Sequence, residues 1–533
     1  MYQADLVSRL GFSLMVKTSS RKKKRDLLVC PPNIEIPLSL SWVDTCNVPS
    51  PDEYPRSLLV ANFCPGICGS FHALKFLGVP ESVRYLLDIW DALEKPLRFN
   101  VSREDAIHVK CGKKNGGDVT CIDCGSLDPV DIFTAGPPCP PWSSLGRGKT
   151  TEDPRSCVFY AVIKCVEHFG RMGLKMFLLE NVVGVLKSWK GGKIFMLEIL
   201  ERLKENMPWF QFRVEVTNSK FHGLAQNRPR VFLIGYHRCL VPSVPSLDKP
   251  LFQQMAQASL WNLLAKGCPK IDCLKDLTAK QRKCVLDGYL PMLKKELSDP
   301  SLRGTVAVFD ISRDPSKKLG AFLRCDDLTG TLTCGNSRLV VISLGEGLDE
   351  VVLERVVASV IGYEKMPDVS AESKPEIFRF LYTEERLRCH GFPYDADHGL
   401  SVYQSVKASG NAFSVNVVGR LMAPFLKAIV DTDALNEVPL VKAIPLKKNK
   451  QNLESWLIQN KRPWKLISAE DFDDPRRFER FRCPEKSDSL QGNEPVEEDS
   501  WDVHVEDGPE SSSESECSQD GHRLYKAQKC LCN

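Results

Sequence analysis

The chain contains a cysteine whose neighbours predict that its thiol is displayed at the end of a strand. Cys139 follows a short apolar run and has two prolines on each side of it. Proline fixes its own φ and moves the preceding residue out of the helical region, so Cys139 should lie in an extended loop. Loops at strand ends carry the chemistry of open α/β sheets, and a cysteine thiolate is a nucleophile. The segment therefore predicts a nucleophilic cysteine, with an ordinary turn cysteine as the alternative.

Two further strand ends supply the polar groups that such a nucleophile needs. Glu180 and Asn181 end the apolar run that begins at Met176, and Arg228 and Arg230 come directly before another apolar run. A carboxyl group can hold or transfer a proton, and guanidinium groups can neutralise developing charge. A helix cap at Glu180 and surface charges at the two arginines are the alternatives. The order of the three clusters favours one shared site.

The motifs resemble those of the cytosine-5 DNA methyltransferase family over roughly residues 56–432. Pro-Pro-Cys139 is similar to the nucleophile motif of that family, Glu180-Asn-Val to its Glu-Asn-Val motif, and Gln226-Asn-Arg-Pro-Arg230 to its Gln-x-Arg-x-Arg motif. Further similar segments follow in the family's order: Asp153-Pro-Arg155, Arg379–Glu385 running into Gly391-Phe-Pro393, and Gly410-Asn411.

The resemblance implies a catalytic set of Cys139, Glu180, Arg228 and Arg230. Carbon 5 of cytosine is a poor nucleophile, so the thiolate of Cys139 would first attack carbon 6 and activate the ring. Glu180 would hold or protonate ring nitrogen 3 while charge enters the ring. Arg230 would contact the cytosine carbonyl and orient Glu180, and Arg228 would support the loop or a phosphate.

The resemblance also implies S-adenosyl-L-methionine as the cofactor. A glycine turn with Gly66 and Gly69 joins a predicted strand to a helix. Asp88 ends the next strand about 20 residues later, the usual separation for a carboxylate that binds ribose hydroxyls. Asp118 lies in a segment similar to the adenine-binding segment, and a helix cap is the alternative for either aspartate. The predicted cofactor residues are Gly66, Gly69, Asp88, Asp118, Pro138, Gly410 and Asn411.

The predicted fold is α/β, with a doubly wound, mostly parallel sheet of the S-adenosylmethionine-dependent methyltransferase type and a smaller target-recognition domain. In the predicted recognition region, Leu328–Thr333 looks like the family's Thr-Leu element, so Thr331 and Leu332 are predicted to contact nucleic acid. Pro424 is expected to kink the last helix. The predicted segments are an N-terminal extension (1–54), a catalytic lobe (55–240), a target-recognition region (241–375), the C-terminal part of the catalytic lobe (376–432) and a disordered tail (433–533).

Charge and cysteine content indicate the partner and the compartment. Residues 494–520 contain eleven acidic residues and no Lys or Arg, so the rest of the chain carries 71 basic against 57 acidic residues, a net +14. Such a body attracts a polyanion, which predicts DNA as the partner. No apolar run of membrane-spanning length is visible, and the 21 cysteines form no metal-binding pattern, so neither a membrane nor a metal is expected and reduced thiols fit better. The basic run 21–25 favours the nucleus, with the cytoplasm as the alternative.

Two alternatives compete with a DNA enzyme. A tRNA cytosine-5 methyltransferase on the same scaffold would keep Cys139, Glu180 and the arginines but bind a folded RNA. A catalytically silent nucleic-acid-binding scaffold is suggested by Cys64 and Cys68, which stand where the family has an aromatic residue and a glycine, and by Pro140, which stands where it most often has glutamine.

Overall fold

The computed structural model describes the greater part of the chain between residues 30 and 435. The described residues are 30, 36–101, 106–143, 150–187, 194–247, 249–265, 277–299, 306–315, 322–334, 338–344, 348–360 and 377–435. The basic run 21–25 and the acidic segment 494–520 lie outside these residues.

A seven-stranded sheet forms the centre of the protein. Its strands are β1 (Leu58–Phe63), β2 (Glu81–Asp88), β3 (Ala106–Cys111), β4 (Ile132–Ala135), β5 (Met176–Asn181), β6 (Phe210–Asn218) and β7 (Pro229–His237). The strand order is β3-β2-β1-β4-β5-β7-β6, and the first five strands are parallel, whereas β7 runs antiparallel between β5 and β6. The order reverses between β1 and β4, where open α/β sheets bind their ligands. The predicted doubly wound fold is confirmed.

Both faces of this sheet are covered, which explains the continuous apolar sequences of its central strands. On β5, Met176 and Leu178 belong to one core cluster, and Phe177 and Leu179 belong to the other. Helices α1 (Gly69–Phe76), α2 (Glu94–Asn100), α9 (Val402–Asn411) and α10 (Val415–Asp431) contribute to the first cluster, and α3 (Ser156–Arg171) and α4 (Phe195–Asn206) to the second.

A second, four-stranded sheet follows β7 in the chain. Its strands are β8 (Val306–Asp310), β9 (Leu323–Arg324), β10 (Leu339–Ser343) and β11 (Phe378–Phe380), in the order β11-β10-β8-β9. The remaining helices are α5 (Ala279–Lys283), the π-helical turn Cys284–Tyr289, α6 (Leu290–Leu297), α7 (Glu350–Val360) and α8 (Thr383–Arg388). One face of the small sheet packs against α6 and α7, and the other shares a cluster with Ala225 and Cys389 of the main body. Because β11 pairs with β10, residues 378–380 belong to this sheet, whereas the predicted boundary at 375 placed them in the catalytic lobe.

The stretch Val402–Asp431 has the length and apolar composition of a membrane span, yet 83% of its most apolar window is buried inside the protein. Its second half is α10, which contains Pro424 and packs against α1. The apolar composition of this stretch is therefore explained by burial in the core.

The cysteines include one bonded pair. Cys124, after β3, forms a disulfide with Cys165 of α3, with a Cα–Cα distance of 5.4 Å. The sequence had predicted reduced thiols, and this disulfide differs from that prediction. The bond links the loop before β4 to α3, the helix that follows the nucleophile loop.

Candidate active site

Cys139 lies in a loop four residues beyond the end of β4, at the carboxyl edge of the main sheet. Its side chain is half-buried, and its carbonyl accepts a hydrogen bond from the backbone N–H of Trp142 at 3.0 Å. The Trp142 ring is fully buried against the rings of Phe159 and Phe195, at centroid distances of 5.7 and 4.4 Å. A large buried side chain three residues after the cysteine therefore anchors the loop to α3 and α4.

The end of β5 supports the same loop from the neighbouring strand. The Asn181 Nδ2 donates to the carbonyl of Pro137 at 3.1 Å, and its Oδ1 accepts from the N–H of Val182 at 2.9 Å. Gly184 follows in the next turn and approaches the Trp142 carbonyl so closely that a methyl group at this position would lie 1.9 Å from the oxygen. The Glu-Asn-Val segment thus supports the nucleophile loop in addition to supplying the carboxyl group of Glu180.

Glu180 and Arg230 form an ion pair next to Cys139. The Arg230 Nε donates to Glu180 Oε1 at 2.9 Å, and both side chains are 12% exposed. Burial raises the pKa of the Cys139 thiol, while the positive charges of Arg230 and Arg228 lower it and the negative charge of Glu180 raises it. Burial dominates, so the resting thiol is protonated near neutral pH. The structure therefore brings together the thiol, the carboxylate and the guanidinium predicted from the sequence.

The guanidinium of Arg228 bonds backbone carbonyls around the site. Its guanidinium is buried and donates to the carbonyls of Leu332 at 2.9 Å, Gly410 at 3.2 Å and Ala412 at 2.9 Å. A side chain that is 3% exposed and bonded in this way cannot bind a phosphate of the substrate. Of the two roles predicted for Arg228, loop support fits the geometry.

Thr331 and Leu332 are held against the main body. The Leu332 side chain is buried in the cluster between the small sheet and the main body, and the Thr331 hydroxyl donates to the carbonyl of Asn227 at 3.0 Å. Both residues attach the Thr-Leu element to the main body, and their predicted contact with nucleic acid stays a prediction. Cys334, two residues after Leu332, was not among the predicted site residues. Its side chain is exposed, and its charge would raise the pKa of Cys139.

Two of the predicted cofactor residues, Gly66 and Asp88, meet at the carboxyl edge of β1 and β2. The N–H of Gly66 donates to Asp88 Oδ2 at 3.4 Å, and the N–H of Trp90 donates to Oδ1 at 2.9 Å. Burial raises the pKa of Asp88 to about 6. Asp118 caps a short 3-10 helix by accepting from the N–H of Thr120 at 3.0 Å, which is the helix-cap alternative given for this aspartate. Its negative charge also raises the pKa of Cys64 in the glycine turn.

The C-terminal return closes the same edge. A methyl group at Gly66 would lie 3.7 Å from the carbonyl oxygen of Asn411, and one at Gly69 would lie 2.8 Å from Cβ of Phe413. Asn411 ends α9 beside the glycine turn, Gly410 packs against the backbone of Thr333 and Cys334, and Pro138 is half-exposed in the nucleophile loop.

The glycine turn has cysteine at two positions with a left-handed backbone. Cys64 and Cys68 both have positive φ, 52° and 63°, a conformation that costs a non-glycine residue about 1–2 kcal/mol. The Cys68 side chain is fully buried. The turn thus keeps a left-handed backbone at a position where the family has glycine.

These residues fit a nucleoside cofactor. Asp88 is a buried carboxylate that ribose hydroxyls would supply with further hydrogen bonds, and the neighbouring Ile89 is 57% exposed at the same edge, as an apolar contact for a base would be. Among the residues that the structure describes, no group of three or more His, Cys, Asp or Glu side chains could hold a metal ion.

The fold, with a thiol, a carboxylate and a guanidinium together at its carboxyl edge, defines an α/β enzyme of the methyltransferase class. The family model of the C-5 cytosine-specific DNA methylases matches residues 99–426. The chain therefore belongs to the C-5 cytosine-specific DNA methylase family.

Individual relatives are distant. The chain is 23% identical to the type II methyltransferase M.HpaII of Haemophilus parainfluenzae over 304 residues, which cover 57% of this chain and 74% of that protein. It is 32% identical to M.NgoBV of Neisseria gonorrhoeae over 161 residues, which cover 29% of this chain and only 34% of that protein. The solved structure of a Spodoptera frugiperda DNMT2 mutant is 17% identical, with a TM-score of 0.44, over 69% of this chain and 99% of that chain.

Proposed function

We propose that this protein transfers a methyl group from S-adenosyl-L-methionine to carbon 5 of cytosine in DNA. The observation that carries the proposal is the placement of the Cys139 thiol beside the Glu180–Arg230 ion pair, at the sheet edge that also holds Gly66 and Asp88. A thiol alone would not indicate this reaction, but a thiol next to a fixed carboxyl group suits covalent activation of a pyrimidine.

The residues would act in a defined order. Cys139 loses its proton, and the sulfur then forms a bond to carbon 6 of the cytosine. The electron pair displaced from the ring is stabilised at nitrogen 3, which the carboxyl group of Glu180 would hold or protonate. Arg230 keeps Glu180 in place through its Nε and neutralises the charge of the pair. Once carbon 5 carries the transferred methyl group, a base would remove the carbon 5 proton, and the electron pair of that bond would re-form the ring double bond and expel the sulfur of Cys139 from carbon 6.

The cofactor would be held by residues of the glycine turn and of its neighbours. Asp88 would accept from the ribose hydroxyls, Asp118 would lie at the adenine end, and Gly66, Gly69, Pro138, Gly410 and Asn411 would form the walls. When bound, S-adenosyl-L-methionine supplies an electrophilic methyl group.

The substrate cytosine would be extruded from the double helix. Neither face of a stacked base is accessible to a thiol, so the base must leave the stack at a cost of a few kcal/mol. The positive charge of the chain outside its acidic segment would contribute to DNA binding, which should weaken with salt.

The decisive experiment traps the covalent intermediate. The purified chain is incubated with S-adenosyl-L-methionine and duplex DNA that contains 5-fluorocytosine. Fluorine at carbon 5 cannot leave as a proton does, so the sulfur stays bonded to carbon 6. We expect an adduct that survives denaturation for the native chain and for Cys239→Ala, which removes a half-buried thiol beyond the other end of β7. We expect none for Cys139→Ala.

Two results would count against the proposal. An equal adduct with Cys139→Ala would show that Cys139 is not the nucleophile. Faster methyl transfer to cytosine in tRNA than to duplex DNA under the same conditions would assign the substrate to RNA, although the covalent chemistry would remain.

We further propose that the protein resides in the nucleus, on the basis of the basic run 21–25. Replacement of these five residues by alanine in a fluorescent fusion should move the protein to the cytoplasm. Unchanged nuclear fluorescence would refute this role of the run.

A further inference from the structure

A disulfide links the segment that follows Gly117 to α3. Residues 118–127, here called the tethered segment, lie between β3 and β4 and contain two single-turn 3-10 helices. Asp118 caps the first of these turns, and Cys124 begins the second. Cys124 is bonded to Cys165 of α3. The covalent link is therefore six residues away from a predicted cofactor residue, Asp118.

The first residues of the tethered segment lie against the other predicted cofactor carboxylate. A methyl group at Gly117 would lie 2.1 Å from the carbonyl oxygen of Asp88 and 2.9 Å from that of Lys110. The N–H of Gly117 donates to the carbonyl of Gly112 at 3.0 Å, and the N–H of Gly112 donates to the carbonyl of Asp88 at 3.0 Å. The chain therefore leaves the sheet edge directly at Asp88, and the path of the tethered segment decides where Asp118 lies beyond it.

Few other contacts hold the tethered segment in place. The structure describes all ten of its residues, and only Asp118 and Val119 among them are buried. The side chains of Ile122 and Leu127 are partly buried against the core cluster that contains α3. A single side-chain hydrogen bond from α3 reaches the segment, between Nε2 of His168 and the carbonyl of Leu127 at 3.0 Å. The disulfide is therefore the strongest link between this segment and α3.

The two sulfur atoms of the bond differ in their accessibility. Cys124 is half-buried between two exposed residues, whereas Cys165 is fully buried. An external thiolate would therefore attack the sulfur of Cys124 and form a mixed disulfide, while Cys165 leaves with the electron pair and takes up a proton. A second external thiolate then attacks the external sulfur and releases Cys124, which also takes up a proton. Two external thiols become one disulfide, and their two electrons reduce the protein bond.

The proposed compartment makes such an exchange relevant. Low-molecular-weight thiols keep most protein thiols reduced in the nucleus and the cytosol, and disulfides that do form there are usually transient. A half-buried Cys124 is open to these thiols. In that setting the bond would open and close with the ratio of thiol to disulfide.

We propose that the Cys124–Cys165 disulfide is a redox switch for cofactor binding. The closed bond holds the tethered segment so that Asp118 receives the adenine end of S-adenosyl-L-methionine, and reduction by a low-molecular-weight thiol releases the segment and weakens cofactor binding. The inference rests on the proposed function. It adds a regulation of the cofactor site by a bond that takes no part in methyl transfer.

The test measures cofactor binding in both redox states. Isothermal titration calorimetry gives the Kd of S-adenosyl-L-methionine for the full chain in oxidised and in reduced glutathione, and mass spectrometry after alkylation reports whether the bond is closed. Cys124→Ser and Cys165→Ala each remove the bond, so that one variant serves if the other does not fold. Both keep Cys64 and Cys68 in the glycine turn, so a redox effect on those thiols would also appear in the variants.

We expect reduction to raise the Kd of the native chain about tenfold, as it would if the released segment adopts the binding conformation in about a tenth of the molecules. Hydrogen exchange of the amides of residues 118–127 should become faster at the same time. Cys239→Ala, the matched control, removes a thiol outside the bond and should respond like the native chain. Both variants without the bond should have the Kd of the reduced native chain in either buffer.

Several results would overturn the inference. One is a native Kd that stays within about twofold although the bond is broken. Another is a variant without the bond that binds as tightly as the oxidised native chain, or that keeps the redox response. A chain without the Cys124–Cys165 bond in oxidising buffer would overturn it as well. The titrations contain no nucleic acid, so an absence of methyl transfer to duplex DNA, which would refute the proposed function, leaves them unaffected.

Discussion

Gly184 offers the sharpest test of how the nucleophile loop is held. It lies in the turn directly after Glu180 and Asn181, and a methyl group at its Cα would lie 1.9 Å from the carbonyl oxygen of Trp142 and 3.0 Å from the carbonyl carbon. The Trp142 side chain is fully buried and cannot move aside. In Gly184→Ala the strain must therefore displace the backbone of the Cys139–Trp142 turn.

The size of the displacement sets the size of the effect. Real Cβ contacts essentially never fall below 3.0 Å, so the Trp142 oxygen must retreat by at least about 1.1 Å. A misplacement of about 1 Å in a catalytic group costs on the order of 100-fold in rate. Overpacking of this kind also costs about 1–3 kcal/mol of stability. We therefore expect the adduct rate of Gly184→Ala on 5-fluorocytosine DNA to fall about 100-fold while the chain stays folded.

The matched control is Gly125→Ala. A methyl group at Gly125 would meet only the side-chain carboxylate of Asp123, at 3.3 Å from the Oδ1 that accepts from the Gly125 N–H, and a shift of a few tenths of an ångström would relieve this contact. Single-turnover adduct formation, measured beside thermal unfolding for both variants, separates a loop effect from general destabilisation. An adduct rate for Gly184→Ala within about threefold of the native rate would refute the argument that this close contact fixes the nucleophile loop.

Three further predictions concern stability. Burial raises the pKa of Asp88 from 3.8 to about 6, so the protonated side chain costs no stability below about pH 4, and the free energy of unfolding falls as the pH rises through about 6. In urea unfolding, Asp88→Asn should therefore be more stable than the native chain by on the order of 2–3 kcal/mol at pH 7 and little different from it at pH 4. Glu385→Gln should lower the free energy of unfolding by about 3–5 kcal/mol in urea unfolding at pH 7. The reason is that the buried guanidinium of Arg379 donates to the Glu385 carboxylate at 2.6 and 2.9 Å and would be left without a negative partner. Cys124→Ser should be about 4 kcal/mol less stable than the native chain in oxidising buffer and equal to it in excess reductant, since the bond to Cys165 closes a loop across a separation of 41 residues.

Each of these three expectations has a clear contrary result. A stability difference for Asp88→Asn that is the same at pH 4 and pH 7 would mean that burial of the charged form is not the cause. A decrease in the free energy of unfolding of less than about 1 kcal/mol for Glu385→Gln would mean that the Arg379–Glu385 ion pair is no stronger than an ordinary surface ion pair. A Cys124→Ser variant that is equally destabilised in reductant would point to packing and not to the disulfide.

Much of the main sheet could be predicted because its strands are apolar on both faces and end in polar groups. The run before Glu180 is such a strand, and its end fixes where a carboxyl group must lie. The nucleophile loop was predictable for a similar reason, since the prolines around Cys139 restrict the backbone before any tertiary contact forms.

The roles that depend on long-range contacts could not be predicted in this way. Arg228 and Arg230 are two residues apart in one motif, yet one bonds three carbonyls and the other bonds Glu180. Their different roles depend on Leu332 and Gly410, more than 100 residues away in the sequence. The buried position of Leu332 was missed for the same reason.

The buried hydrogen bond between Nε2 of His222 and Oγ1 of Thr217, 2.8 Å long, is a further contact for which the sequence carried only a weak signal. The two residues lie five residues apart just before the Gln-x-Arg-x-Arg motif, a spacing that has no meaning until the turn after β6 brings their side chains together. Arg420, which fixes the histidine, is almost 200 residues further on. A short-range pattern cannot report a network of this kind.

The hydrogen bonds of Arg228 have a consequence for engineering. Because its partner in the Thr-Leu element is the backbone carbonyl of Leu332, this hydrogen bond depends on the path of the main chain, while the buried Leu332 side chain requires an apolar residue at the same position. Chimeras that exchange the recognition region of one methyltransferase for that of another would keep this hydrogen bond as long as the graft preserves the local path of the main chain. Exchange of the predicted recognition region thus requires this main-chain path and an apolar residue at position 332.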